Sequence, residues 1–252
     1  MIIEYLRPAK MVEAIGLLTR TGITSKPLAG GTVLSKQKAA EDFAVVDLQK
    51  LGLDYLVPSG KLTVIGATCT LQKLTESDTI PAALRSAIDR EVNFHMRNMA
   101  TAGGTVISAD GCSPMLTALT ALDARLTWLP GDKELPLGEW LNDRKPAKAG
   151  VLLEKLAYDN TLKLKCKFLA RSPQDYPMAS LAISESSDGK MRIVIGAVRE
   201  EHPIVIYDGN SAADGLLAVE KSCNSLLAGR KHEAYLTSVL PAMVGQMIQE
   251  GI

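Results

Sequence analysis

The spacing of apolar positions changes character along the chain, and each change predicts an element. Apolar residues recur at helical spacing from Met11 to Thr21, after Pro8 and before Gly22, which predicts a short amphipathic helix. Ala44–Leu48 is a β-like apolar run, and Lys61–Ala67 alternates as a strand before a small-residue turn. Thr70–Glu76 and Pro81–Arg90 read as helices, with Pro81 at a tolerated first-turn position. Ser113–Ala124 reads as a helix with Pro114 near its start, Arg125–Leu129 as a strand, and Pro130-Gly131-Asp132 as a turn. The texture then shifts toward strands: Val151–Leu156, Leu162–Leu169, Met178–Ser184 and Met191–Val198. A hairpin connection at Ser186-Ser187-Asp188-Gly189 joins the last two. Ser211–Ala228 and His232–Gln249 read as closing helices. A sheet covered by helices, following mixed elements, predicts an α+β architecture with segregated layers. The Pro/Lys-rich stretch Arg144-Lys145-Pro146-Ala147-Lys148 is the best internal boundary signal.

Between these elements one pentapeptide, Ala-Gly-Gly-Thr-Val, occurs twice, at Ala29–Val33 and Ala102–Val106. Glycine serves where backbone must approach a ligand closely or take positive φ. Successive free N–H groups in such a turn make an anion-binding concavity, to which a threonine hydroxyl adds a donor. The pair therefore predicts two loops clamping one ligand with a charged middle, for which a dinucleotide pyrophosphate is a fit. A tight turn remains the plain alternative for either copy alone. Neither copy is a G-x-G-x-x-G opening a βαβ helix, nor a Walker A loop.

Composition narrows the classes. Twenty-eight basic residues balance 28 acidic ones, which argues against a nucleic-acid footprint. The longest apolar runs fall far short of a membrane span, and the first residues lack a secretory stretch, so a cytoplasmic protein is expected. Cys69, Cys112, Cys166 and Cys223 stand far apart, which argues against a disulfide framework or a metal site and for burial as small hydrophobes. His95, His202 and His232 are scattered, and no G-x-S-x-G elbow is present, so no catalytic residue is expected. Asp110, beside Cys112 and Ser113, suits a ribityl or ribose hydroxyl as well as it suits a solvated loop. Arg97-Asn98 could meet a phosphate oxygen or serve structure alone.

The chain resembles the FAD-binding subunit, or middle domain, of the molybdenum hydroxylases, such as xanthine dehydrogenase and the medium subunit of carbon monoxide dehydrogenase. The resemblance covers essentially the whole chain. Its marks are Ala29-Gly30-Gly31-Thr32, the Ile65-Gly66-Ala67 ending of a strand, Ile80-Pro81-Ala82-Ala83-Leu84, and Arg97-Asn98-Met99-Ala100-Thr101-Ala102-Gly103-Gly104. Ala121-Leu122-Asp123-Ala124 and Ile193-Val194-Ile195-Gly196-Ala197 complete them. The resemblance implies a FAD-binding fold of the vanillyl-alcohol oxidase type. Its two α+β subdomains would be residues 1–58 and 59–160, and a sheet-and-helix C-terminal domain, 161–252, would close over the isoalloxazine side. It further implies that Leu28, Ala29, Gly30, Gly31, Thr32, Val33 and Leu34 lie along the pyrophosphate and ribityl chain. Thr101, Ala102, Gly103, Gly104 and Thr105 would face it from the other side, with Asp110, Val151 and Lys167 as further contacts.

By the same resemblance the partners are an iron–sulfur subunit and a molybdopterin-binding subunit, with NAD(H) or another acceptor taking the electrons. The chain departs from the pattern where the family has Asn and this sequence has Thr105, and where a cofactor-binding aspartate aligns with Pro114. One lost charge-assisted hydrogen bond costs on the order of 1.5–3 kcal/mol, a weakening of about ten- to hundredfold. Two other readings therefore stay open: a flavin-free assembly subunit of the same complex, and a stand-alone flavin reductase.

Overall fold

The computed structural model describes residues 1–36, 41–144, 151–172, 175–198 and 201–251. The chain forms two compact units, each assembled from separated stretches. The first takes Met1–Thr79, Val92–Ser108 and Arg125–Tyr158; the second takes Ile80–Glu91, Ala109–Ala124 and Asp159–Ile252. Of the boundary signal, Lys145–Lys148 lies outside the described residues.

The first unit holds a three-stranded parallel sheet of β1 (Ile2–Leu6), β3 (Phe43–Asp47) and β2 (Ser25–Leu28), in the order β1-β3-β2. β3 is central and every residue in it is buried, which explains its unbroken apolar run. Helix α1 (Met11–Thr19) sets Ala14 and Leu18 against Val46 and Leu48. β2 was read from sequence only as a lead-in. Pro27 cannot donate to a ladder, so the strand is confined to an edge. The same unit holds a five-stranded sheet of β4 (Leu56–Ser59), β5 (Leu62–Gly66), β8 (Leu152–Asp159), β6 (Arg125–Leu129) and β7 (Lys133–Pro136), in that order. The helices α2 (Leu71–Thr75), α4 (Phe94–Arg97), α5 (Ala102–Ser108) and α7 (Leu137–Asp143) complete it.

The second unit is built on an antiparallel meander of β9 (Lys163–Leu169), β10 (Ala179–Glu185), β11 (Met191–Gly196) and β12 (Ile204–Gly209). Both faces of the sheet are covered. Leu181, Ile183, Ile193 and Ile195 pack with Val219 and Cys223 of α8 (Ala212–Leu226) and with Leu240, Val244 and Met247 of α9 (Glu233–Gln249). On the opposite face Ala182 and Val194 meet Ala121 of α6 (Pro114–Ala121). The Ser184 hydroxyl donates to the Ala121 carbonyl at 2.6 Å, tying helix to strand. Helix α3 (Ala82–Glu91) belongs to this unit as well. The architecture is mixed α+β. No helix among the described residues is long and apolar enough to cross a membrane.

Candidate functional site

The first copy of the pentapeptide leaves the carboxyl end of β2 at Leu28, where Leu48 N–H donates to the Leu28 carbonyl at 2.9 Å. Ligands of sheets with parallel strands gather at such carboxyl ends. Gly31 has φ +68°, which L side chains adopt only under strain. At Gly30 a Cβ would run into the Met99 carbonyl oxygen, so only glycine lets these two backbones approach. Among the described residues, no acceptor within the chain takes the N–H of Gly30, Gly31, Thr32 or Val33. Four consecutive free amides around a left-handed residue form an anion-binding concavity.

This loop forms one wall of a cleft of about 520 Å³, built wholly from the first unit. That volume lies in the usual range of roughly 300–1,000 Å³ for small-molecule sites. Leu28 to Leu34 line it, as do Thr101, Gly103, Gly104 and Val151. Among the described lining residues the ionisable ones are Lys26 and Arg144, both cations, with no carboxylate. Lys26 Nζ lies 4.3 Å from the centroid of Phe43, while the Arg144 guanidinium carbon lies 5.7 Å from that of Trp140. Val33 and Ile107 line the cleft with more than 40% of their surface exposed, so an occupant would cover apolar surface.

The second copy is a different object. Ala102–Ser108 is helix α5, not a loop, and its amides are engaged within the chain. Ala102 donates to the Cys69 carbonyl at 2.8 Å and Gly103 to the Ala67 carbonyl at 2.9 Å. Gly104 N–H meets the Thr101 hydroxyl at 3.2 Å, the bond of an N-cap, and Thr105 N–H meets the Thr101 carbonyl at 2.9 Å. A Cβ at Gly103 would stand 2.7 Å from that of Ala67, so this glycine serves packing. Ala102 and Thr105 are buried and do not line the cleft. What this stretch offers an occupant is a close apolar wall, not a second set of donors.

Asp110 and Lys167 belong to the second unit. The Asp110 carboxylate accepts from Cys112 N–H at 2.9 Å, closing a turn. Lys167 Nζ lies 3.4 Å from Glu250. Pro114, where the family carries an aspartate, is the first residue of α6, and Ser113 caps that helix by accepting from Leu116 N–H at 3.0 Å. Buried beside it, Glu91 accepts from the Ser113 hydroxyl at 2.7 Å and from Met115 N–H at 3.0 Å. Burial lifts its carboxyl to about 7, the bonds from Ser113 and Met115 pull it back, and the charge of Asp110 adds to the rise.

Sequence reasoning passed over Lys26, Trp128 and Trp140 in the cleft wall. The signal was available for the tryptophans, since they are the chain's only two and aromatic content is 4%. Free amides, two cations and an apolar lining fit a ligand that combines phosphates with ring systems, and FAD is such a molecule.

Comparison with known proteins agrees with this chemistry. The chain is 27% identical over 253 residues to the protein YgfM of Escherichia coli (strain K12), covering 96% of this chain and 95% of that one. It is 34% identical over 130 residues to the carbon monoxide dehydrogenase medium chain of Afipia carboxidovorans, covering 48% and 44%. The fold resembles that of quinoline 2-oxidoreductase from Pseudomonas putida 86, with a TM-score of 0.78 and 18% identity over 99% of this chain and 96% of that one. Residues 1–157 match the family described as the FAD binding domain in molybdopterin dehydrogenase. The chain therefore belongs to the FAD-binding domain family of the molybdopterin dehydrogenases, and its cofactor is FAD.

Proposed function

We propose that this chain is the FAD-binding electron-transfer subunit of a molybdenum hydroxylase-type oxidoreductase. The observation that carries the reading is the run of four amides, Gly30 to Val33, with no acceptor among the described residues, in a cleft whose described lining contains cations and no carboxylate. The amides would hold the pyrophosphate, and Lys26 would add positive charge without a permanent hydrogen-bond geometry. Gly103 and Gly104 would bound the cofactor on the other side through close packing, and Val151 would contribute apolar surface. Asp110 and Lys167 stay in the proposal as cofactor contacts from the resemblance alone. Bound FAD accepts and releases electrons singly or in pairs, so the protein's part is binding, orientation and exclusion of water.

In this proposal the residues follow the vanillyl-alcohol oxidase type, with subdomains 1–58 and 59–160 and a C-terminal domain at 161–252. An iron–sulfur subunit would deliver electrons that originate at a molybdopterin-binding subunit, and NAD or another acceptor would receive them. The relative named as a medium chain supports membership of such an assembly. A cytoplasmic location and a xanthine dehydrogenase-like reaction belong to the same reading.

Denaturing the purified protein tests it. Release of about one FAD per chain is expected, identified by chromatography and absorbance. A colourless protein that takes up no FAD on reconstitution would sink the reading and leave an assembly subunit in its place. Reduction of the bound flavin by NADH in the isolated chain, without any partner, would instead indicate a stand-alone reductase.

A further inference from the structure

Strand β3 runs through four apolar residues, Phe43 to Val46, and then ends on a carboxylate. Asp47 is 1% exposed, at the carboxyl end of the central strand of its sheet. A buried charge is costly unless its lone pairs are taken. Here they are taken by groups from β1 and from the turn that follows β3. Oδ2 accepts from the Tyr5 hydroxyl and pairs with Arg7 Nε at 3.2 Å. Oδ1 accepts from Gln49 N–H at 2.9 Å, which closes an Asx turn directly after the strand. Arg7 also donates to the side-chain oxygen of Gln49 at 2.8 Å, so the exits of β1 and β3 are held together. An apolar residue would serve the core at less cost, so the charge points to a geometric task.

The neighbours of Asp47 show what that task is. Its partner in the parallel register is Leu28, where the first pentapeptide leaves β2. The Asx turn spans Leu48, whose N–H donates to the Leu28 carbonyl at 2.9 Å and whose carbonyl accepts from Leu51 N–H at 3.0 Å. Beyond Leu28 come the amides of Gly30 to Val33, which have no acceptor among the described residues and so gain no hold from bonds of their own. Asp47 is not among the described residues that line the cleft, so it acts through Leu48 and Leu28. We propose that Asp47 is the positioning residue of this loop: its carboxylate, braced by Tyr5 and Arg7, fixes Leu48 and thereby the aim of the four amides at the pyrophosphate. The inference rests on the reading of the cleft as a FAD site. Donors held in place before binding lose less conformational freedom on binding. Loosening the root of the loop therefore weakens the cofactor without removing any contact to it.

The test compares the full chain with Asp47→Ala, which removes every bond of the carboxylate, and with Asp47→Asn, which keeps an acceptor for Gln49 but not the charge that Arg7 pairs with. In the ligand-free chain, labelled with nitrogen-15 at glycine and leucine, Asp47→Ala is expected to speed exchange of the Leu48 amide by about tenfold. It should also move the resonances of Gly30 and Gly31 and leave those of Gly103 and Gly104 in place. With FAD added, Asp47→Ala should weaken binding by about tenfold and displace the phosphorus-31 signals of the bound pyrophosphate. Asp47→Asn should show the same pattern at smaller size, and it carries the test alone if Asp47→Ala does not fold. A variant that melts at a lower temperature yet keeps the parent's Gly30, Gly31 and phosphorus signals would overturn the proposal, since Asp47 would then be a stabilising residue only. If the parent chain takes up no FAD, the functional reading fails, and the Leu48 exchange and glycine resonances still decide whether Asp47 sets the loop.

Discussion

At Gly30 and Gly31 two neighbouring glycines answer different demands, and substitution separates them. Gly30 lacks a Cβ because the Met99 carbonyl occupies that space, while Gly31 lacks one because its φ is +68°. Gly31→Ala is expected to cost roughly 1–2 kcal/mol of stability, the penalty of a side chain in the left-handed region. Gly30→Ala must push two backbones apart, so a larger loss of melting temperature and of FAD retention is expected; equal effects would contradict the distinction. The thiols offer a second test at this scale. Cys69 and Cys223 are buried while Cys112 and Cys166 are partly exposed, and burial of the thiol raises Cys69 and Cys223 to about 11 and Cys166 to about 12. A thiol reagent should therefore modify Cys112 first in the folded protein, with Cys166 slower because its thiolate is scarce and Cys69 and Cys223 reacting only on unfolding. Rapid modification of Cys166 would contradict this account.

At the scale of elements, the two pentapeptides show how neighbours decide local structure. Sequence reading expected two loops. The first copy continues from a strand end into a turn with free amides, while the second docks on the carbonyls of Ala67 and Cys69 and winds into α5. Thr101 starts that helix, since its hydroxyl accepts from Gly104 N–H. Thr101→Ala should cost about 1 kcal/mol, and Thr101→Ser should recover most of it, as read from urea unfolding midpoints. An unchanged midpoint in Thr101→Ala would show that the cap carries no weight. Strands with long apolar runs, such as β10 and β11, were legible because both faces are buried. β1, β2, β4 and β7 were passed over because they are short and partly exposed, so their side chains carry little pattern.

For the whole molecule, the buried acid of the second unit predicts a pH dependence. Glu91 titrates near 7 in the folded chain and near its ordinary 4.5 when unfolded. The folded state thus holds the extra proton between these values, and its stabilising effect is complete below about 4.5 and lost as pH rises through about 7. The amount is on the order of 3 kcal/mol by linkage. Glu91→Gln keeps an acceptor for Ser113 and Met115 while removing the titration. It should flatten the dependence and be the more stable form at pH 8, as measured by denaturant unfolding across pH. A parent chain equally stable at pH 5 and pH 8 relative to Glu91→Gln would overturn the assignment.

The amino-acid sequence by itself determined the periodic elements, the α+β class, the first glycine loop and the resemblance to the molybdenum hydroxylase flavoprotein family. These depend on short-range pattern and on residues whose chemistry is legible in isolation. The tertiary structure decided the discontinuous units, the conversion of the second pentapeptide into a helix, and the two tryptophans facing one cleft. Each depends on groups distant in sequence: Met99 against Gly30, Ala67 against Gly103, strand β6 beside helix α7. Identical pentapeptides have identical local preferences, so only the carbonyls and side chains brought to them by the fold could make one a cradle and the other a wall.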